Sequence, residues 1–226
     1  MMTIDWIQRL MRSARVRRLH SQCYYLFHRS RSNISGKGNG IIRDRAYLRG
    51  CTITINGNGN RIVIHPGARL NGCAVSIVGD GHRLEIGPDC DLNKSMFWFE
   101  GERCTATVGA RTYFGGVLVA CPERATSIRI GADCLFSHNV EVRAGDSHSV
   151  LALASGKRIN PPRDVVIGDQ VWVASDVRIL RGVRIGAGAV IAIGSIVTRP
   201  VRANSISGGH PNRTLMSGVS WSRQRY

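Results

Sequence analysis

An aliphatic residue recurs along this chain at a nearly constant interval, and that repeat restricts the possible folds more than any other feature. The intervals are 22 residues four times, then 37, then 18, between the anchors Ile42, Ile64, Ile86, Val108, Ile130, Ile167 and Ile185. A small or β-branched residue stands four positions after each anchor, and Leu, Phe, Val or Ile stands six after. Stacked turns of similar shape need the same residue type at the same place each time, so the repeat predicts a solenoid.

The spacing within each repeat favours short strands. A helix of period 3.6 would not keep positions 0, 4 and 6 apolar through seven repeats. Gly follows the anchor at 87, 109, 131, 168 and 186, which predicts a tight corner with an unusual φ or a close backbone approach. The four extra residues of each 22-residue coil are predicted to form bulging corners, such as Asn56-Gly-Asn-Gly and Gly79-Asp-Gly-His.

Composition narrows the class of protein and of partner. The chain has 226 residues, which suits one main domain. Its 31 Lys and Arg against 15 Asp and Glu give +16, which favours nucleic acid, anionic lipid or the phosphates of a coenzyme. Seven cysteines without a C-x-x-C pair predict reduced, buried thiols, and Cys90 and Cys134 fall in the small inward column.

Three segments, Ile130-Gly-Ala-Asp-Cys-Leu, Ile167-Gly-Asp-Gln-Val-Trp and Ile185-Gly-Ala-Gly-Ala-Val, resemble the hexapeptide-repeat acyltransferases. The resemblance covers roughly residues 42 to 213. That family winds coils of three hexapeptides, which matches the final 18-residue spacing. The resemblance implies an all-β, left-handed parallel β-helix, here with a short N-terminal α-helix. Its handedness comes from the family alone, because the general rule for parallel crossovers predicts right-handed connections.

The 37-residue interval is about twice an 18-residue coil, so a loop at about 143–163 is predicted to leave the solenoid, and such insertions often carry function. Its Asp-Ser-His-Ser and Lys-Arg-Ile-Asn-Pro segments, followed by Val-Ile-Gly-Asp-Gln-Val-Trp, are similar to the polysaccharide, capsule and sialic-acid O-acetyltransferases. That subgroup implies acetyl transfer from acetyl-CoA to a glycan hydroxyl, without a metal. The reaction needs a base near neutral pH, and we predict that His148 is that base.

The resemblance also implies further site residues. Asp146 could orient the His148 imidazole, although a backbone carbonyl could do the same. Trp172 corresponds to the family's tryptophan beside the acceptor and thioester. Positions matching the family's acetyl-CoA groove, which lies between subunits of a trimer, are Ala174, Ser175, Ala192, Ile193, Thr198, Arg199 and Arg213. The family usually has Trp-Ile-Gly and Gly-Ala-Gly-Ser where this chain has Trp172-Val-Ala and Ala192-Ile-Gly-Ser, so added methyl groups are expected in that groove.

The predicted domain order is a basic amphipathic helix and linker (1–35), the β-helix (36–205) and a basic tail (206–226). The helix could cap the first coil or contact an anionic membrane surface. Without a signal-peptide h-region or an apolar run of about 18 residues, the expected location is cytoplasmic, possibly at the inner face of the membrane.

Other functions compete with this interpretation. Serine and xenobiotic acetyltransferases share the chemistry and differ in the acceptor. The γ-type carbonic anhydrases share the coil but bind zinc through three histidines, whereas here only His138 and His148 are close in sequence. A nucleic-acid scaffold would suit the charge, but no array of stacking aromatics accompanies it, so no nucleic acid is expected.

Overall fold

A computed structural model describes residues 29–224 as a parallel β-solenoid. The strands are β1 Arg31–Ser35, β2 Gly40–Arg43, β3 Tyr47–Arg49, β4 Thr52–Asn56, β5 Arg61–Ile64, β6 Arg69–Asn71, β7 Ala74–Asp80, β8 Arg83–Ile86, β9 Asp91–Asn93, β10 Met96–Glu102, β11 Thr105–Val108, β12 Tyr113–Cys121, β13 Ser127–Ile130, β14 Leu135–Arg143, β15 Val165–Ile167, β16 Trp172–Val173, β17 Arg178–Ile179, β18 Arg184–Ile185, β19 Val190–Ile191, β20 Ile196–Val197, β21 Ser205–Gly209 and β22 Asn212–Ser217. The predicted all-β solenoid is confirmed, and the predicted N-terminal helix lies outside the described residues.

The strands stack into three faces, and each circuit of the chain passes all three. Face 1 consists of β2, β5, β8, β11, β13, β15 and β18. Face 2 consists of β3, β6, β9, the first parts of β12 and β14, then β16, β19 and β21. Face 3 consists of β1, β4, β7, β10, the later parts of β12 and β14, then β17 and β20. Pairing within each face is parallel, so side chains that point inward stack in columns through the core.

The register confirms the predicted columns, with one correction. From Ile64 onward each anchor pairs with the anchor of the next coil. The residues six positions after the anchors form a second column, which stacks from Leu48 to Ile191. The prediction of Ile42 as the first anchor is wrong, because Ile62 pairs with Ile41 and Ile42 is 48% exposed. Two adjacent isoleucines satisfy a period of two in either register, so the sequence alone does not distinguish them.

The corner after each anchor is tight because successive coils approach closely there. A Cβ on Gly109 would lie 2.5 Å from the backbone nitrogen of Ala132, which leaves space only for glycine. This glycine does not itself have a positive φ. The left-handed backbone occurs two residues later, at Arg111 and at the equivalent positions Asp89, Asp133 and Gln170. Of the two reasons predicted for the glycine column, close approach is therefore the correct one.

The coils differ in width, and the difference lies at the corner between face 3 and face 1. We call this the insertion corner; it comprises residues 57–60, 81–82, 103–104, 122–126, 144–164 and 180–183. The broad coils (44–143) have face 3 strands of five residues or more, whereas the narrow coils (165–205) have two-residue strands there. In the broad coils the predicted bulges are confirmed, with positive φ at Gly57, Gly59, Gly79 and Gly81.

A buried polar ladder fills the insertion corner of the broad coils. The Asn60 side chain donates to the carbonyl of Gly79 and accepts from the amide of His82. His82 repeats this one coil later, since its Nδ1 accepts from the amide of Cys104 and its Nε2 lies 3.1 Å from the carbonyl of Gly101. Asn60 and His82 are essentially unexposed, so both bonds replace lost contacts with water.

The ends of the solenoid differ from the predicted boundaries. β1 begins at Arg31, before the predicted start at residue 36, and pairs with β4. Residues 206–217, predicted as tail, complete β21 and form β22, which pair antiparallel. Six of the cysteines are free and buried, as predicted for packing residues. Within residues 29–224 no helix is long and apolar enough to cross a membrane.

Candidate functional site

The predicted loop leaves the insertion corner where the broad coils meet the narrow ones. It spans 144–164, between β14 and β15, in agreement with the predicted 143–163 to within one residue. An antiparallel bridge between Leu151 and Arg158 folds it into a short hairpin. The amide of Arg163 donates to the carbonyl of Ala144, so the two ends of the loop are joined to each other.

Glu123 holds the loop against the solenoid. Its carboxylate is 2.6 Å from an Arg158 guanidinium nitrogen and accepts hydrogen bonds from the amides of Asp146 and Ser147. The bond from Arg158 is the largest reason why the pKa of Glu123 lies below its usual value, against the opposing effect of burial. With 13% of its side chain exposed, Glu123 is a partly buried charge that is paired and hydrogen-bonded, which fixes the segment before His148.

His148 projects from this fixed segment into solvent. Its backbone carbonyl accepts from Asn160 Nδ2 at 2.8 Å, whereas its exposed imidazole makes no hydrogen bond to any residue in 29–224. The preceding Ser147 has a φ of +68°, the left-handed conformation that also occurs at coil corners such as Arg111. A rigid backbone thus presents an unengaged imidazole, as a general base requires before its substrate binds.

Asp146 is close to His148 in sequence, but its carboxylate is engaged elsewhere. Oδ2 accepts from Arg181 Nε at 2.8 Å and from Asn160 Nδ2 at 3.0 Å. Partial burial opposes ionisation, but these two hydrogen bonds outweigh it and lower the pKa of Asp146. Asp146 therefore ties the loop to the first narrow coil, and the contact that was predicted to orient the His148 imidazole is not made in this geometry.

Trp172 lies on the outer surface of face 2, as expected for an indole in a thin solenoid, and 37% of it is exposed. It stacks in register below Leu135 and Tyr113. The chain end returns to this surface and sets the Trp221 ring 6.1 Å from that of Trp172. These four residues, with Ser222, Arg223 and Gln224, line a cleft of about 440 Å³. Face 1 separates Trp172 from the insertion corner that carries His148 in the same chain.

The predicted coenzyme residues occupy two corners rather than one groove. Ala174, Ser175, Ala192 and Ile193 follow face 2 strands, with Gly194 donating from its amide to the Ser175 carbonyl. By contrast, Thr198 and Arg199 follow β20 at the next corner, and Arg213 lies in β22.

The methyl group of Ala192 points at the neighbouring coil, because a Cβ on Gly208 would come within 2.9 Å of it. Gly208, which has no side chain, leaves space for the methyl group by which Ala192 differs from the family's glycine. His138, considered above as a zinc ligand, lies with Nδ1 3.4 Å from Ser175 Oγ. Residues 29–224 contain no group of three or more His, Cys, Asp or Glu that could hold a metal ion.

The sequence motif includes Arg158 and Asn160 but indicates no role for either, and it does not predict Glu123, Arg181 or Trp221. Only Glu123 carried a signal. It stands 22 residues after Gly101 in a column that begins with Gly57 and Gly79, so a carboxylate replaces glycine one coil before the loop leaves. Trp221 follows the last repeat, where periodicity predicts nothing.

Comparison with known proteins supports this interpretation of the loop and solenoid. The solved structure of the polySia-specific acetyltransferase NeuO superposes with a TM-score of 0.76 at 27% identity, covering 86% of this chain and 89% of that one. The polysialic acid O-acetyltransferase of Escherichia coli O1:K1 is 29% identical over 116 residues, and that of Neisseria meningitidis is 38% identical over 79. No protein-family profile matches the sequence.

The two sequence alignments cover 51% and 35% of this chain and span only 38% and 36% of the relatives' lengths. The structural match to NeuO extends over a much larger part of both chains than the sequence alignments do. These likenesses agree with the hexapeptide columns and with the loop at the coil junction. The chain has the solenoid fold of the hexapeptide-repeat, left-handed β-helix acyltransferases and is similar in sequence and structure to the polysialic acid O-acetyltransferases.

Proposed function

We propose that this protein is an acetyl-CoA-dependent O-acetyltransferase that acetylates a hydroxyl group of a sialic-acid-type or related bacterial glycan. One observation carries the proposal: an exposed, unengaged His148 imidazole stands on a loop fixed by Glu123, in a solenoid that matches NeuO over 89% of that chain. The names of the relatives support both the acetyl group and the glycan.

The proposed reaction is a direct transfer. His148 removes the proton from the acceptor hydroxyl as that oxygen attacks the acetyl carbonyl, and a backbone N–H stabilises the developing oxyanion. The carbon–sulfur bond then breaks, and the imidazolium returns its proton to the departing coenzyme A thiolate. The rigid loop supports this role, because a base must be held near its working geometry for efficient proton transfer.

We further propose that the working enzyme is a homotrimer with each site between two subunits. In one chain, face 1 lies between His148 and Trp172, and the predicted coenzyme residues lie on two different corners. A second subunit packed beside the insertion corner would bring both sets to one cleft. We also propose a cytoplasmic location, because the acetyl donor is an intracellular coenzyme; contact of the N-terminal segment with a membrane surface stays a prediction.

Steady-state release of coenzyme A from acetyl-CoA, measured with a panel of bacterial glycans, tests the proposal. His148→Ala is expected to lower turnover by about 10²- to 10⁴-fold, the usual contribution of a general base, without changing the thermal unfolding midpoint. His65→Ala is the matched control, since that histidine pairs with Glu85 on face 1 of the broad coils. Full turnover by His148→Ala would overturn the assignment of the base.

A further inference from the structure

A cleft rich in arginine lies at the insertion corner, beside the base of the loop. It has a volume of about 450 Å³ and contains three arginines and one acid, with the lining residues Arg124, Ala125, Thr126, Pro162, Arg163, Asp164, Gly182 and Arg184. The acid does not neutralise the cleft, because three positive charges face one negative. One Asp164 oxygen also accepts from the amide of Ser127.

The arginines of this cleft have few partners. Among residues 29–224, the side chains of Arg163 and Arg184 make no ion pair, and Arg124 is 3.4 Å from a largely exposed Glu102. The arginines that support the loop differ, since Arg158 and Arg181 are each paired with a carboxylate. Guanidinium groups that outnumber the nearby carboxylates produce a positive potential and attract anions.

The positive surface extends from the cleft along face 1. Arg129, Val166 and Arg184 stack in register and point outward, since they alternate with the buried residues of β13, β15 and β18. At about 4.8 Å per coil, Arg129 and Arg184 lie roughly 10 Å apart along the solenoid axis. Two cations at this spacing suit a ligand that carries several anionic groups rather than one.

Two of the cleft arginines, Arg163 and Arg124, lie in backbone segments that support the loop carrying His148. The carbonyl of Arg163 accepts from the amide of Gly182, so Arg163 connects the end of the loop to the narrow coils. Arg124 directly follows Glu123, whose carboxylate holds the amides of Asp146 and Ser147. A polymer held in this cleft would therefore lie beside the loop that carries the base.

We propose that the Arg124–Arg163–Arg184 cleft binds carboxylate groups of an acidic glycan acceptor and positions the polymer for acetylation. This inference rests on the proposed function and deepens it. Guanidinium groups bind carboxylates in a bidentate manner, which favours arginine over lysine for this task. The coenzyme's phosphates are the competing source of anions, because the predicted phosphate residue Arg199 follows β20 at the same corner, one coil beyond Arg184. The test therefore measures the acidic polymer and acetyl-CoA separately.

The test compares the wild-type protein with the double variant Arg163→Gln/Arg184→Gln, using a sialic acid polymer and the same polymer with its carboxyl groups reduced to alcohols. The KM for the acidic polymer is expected to rise roughly tenfold or more, because two charged hydrogen-bond donors to the carboxylates are lost. The KM for acetyl-CoA and for the reduced polymer should not change. Arg61→Gln is the matched control, because Arg61 is an exposed face 1 arginine in the broad coils.

Direct binding of the acidic polymer, measured by calorimetry at low and high salt, gives a readout that does not need turnover. The double variant should bind more weakly and with a smaller salt dependence. An unchanged KM and binding constant for the polymer would overturn the inference, as would a rise in the KM for acetyl-CoA instead. A wild-type protein that binds the polymer through these arginines but transfers no acetyl group would contradict the proposed function and leave the cleft assignment intact.

Discussion

The broad and the narrow coils share one set of inward columns but fill them differently. In the broad coils the core contains Phe97, Phe99, Phe114 and Phe136, and the Phe114 and Phe136 rings meet edge to face at 5.0 Å. In the narrow coils the equivalent positions hold only Val, Ile and Ala. The larger inward side chains thus fill the later broad coils, from Phe97 to Phe136, whereas the earlier broad coils use Leu, Ile and Val. A close-packed interior must be filled at any width.

The extra length is added at the same corner each time. The bulges of the broad coils, their polar ladder and the 144–164 loop all lie at the insertion corner, whereas the corner after face 1 keeps its tight glycine turn from Gly87 to Gly186. A corner whose polar groups are satisfied by a side-chain ladder can lengthen without unpairing the strands beside it. The loop that carries His148 thus leaves at the position where the coil was already variable.

The largest effect expected from this comparison is on stability. Phe114→Ala removes a fully buried ring between Phe97 and Phe136 and should lower the free energy of unfolding by about 3–5 kcal/mol. Val173→Ala, in the same column of a narrow coil, should cost roughly 2 kcal/mol, because less apolar volume is lost. Chemical denaturation of both variants measures the difference. Equal losses would show that core volume does not distinguish the two regions.

The columns could be predicted from sequence because a solenoid repeats one environment. Each of Ile64, Ile86, Val108 and Ile130 meets the same neighbours, so periodicity alone identified the inward faces. It failed at Ile42, where no preceding coil specifies which of two adjacent isoleucines faces inward.

The site was less predictable, because its contacts join parts of the chain that follow no repeat. His148 was found through its motif, but the partners of Asp146 depend on Arg181 and Asn160, which approach only when the loop folds against the narrow coil. The cleft of Arg124, Arg163 and Arg184 likewise combines three coils at different sequence intervals. Non-local contacts of this kind have no one-dimensional signature.

A pH-dependent difference is expected between the two regions. Burial lowers the pKa of His82, whose neutral ring completes the broad-coil ladder, whereas the inward polar residues of the narrow coils do not titrate. As the pH is lowered through about 6.5, the His82 imidazole takes up a proton in the unfolded state before it does so in the folded state. The free energy of unfolding therefore decreases as the pH decreases, until the pKa of His82 in the folded state is reached. Each unit of pKa difference corresponds to about 1.4 kcal/mol.

His82→Asn provides the comparison, because Asn60 makes the same two ladder bonds one coil earlier. The variant should lose less stability than the wild-type protein between pH 7.5 and 5.5, as followed by denaturation at both values. Other titrating groups contribute equally to both proteins and cancel in the difference. Parallel stability profiles would mean that His82 contributes nothing to the pH dependence.

The smallest effect concerns the segment that spans the junction of the two regions. Trp221 Nε1 donates to the carbonyl of Gln170 in the first narrow coil, and Arg223 donates to the carbonyl of Cys134 in the last broad one. Trp221→Phe removes one hydrogen bond and should cost about 1 kcal/mol, whereas Trp221→Ala also uncovers Trp172.

The tryptophan emission of the Trp221→Ala protein should therefore lie at longer wavelength than that of the Trp221→Phe protein, because the Trp172 indole gains contact with water only in the Ala variant. Trp172→Phe serves as the control, since it identifies the part of the emission that belongs to residue 172. If emission and unfolding are the same in the Ala and Phe variants at 221, the ring contact contributes nothing, and the chain end is held across the junction by Arg223 instead.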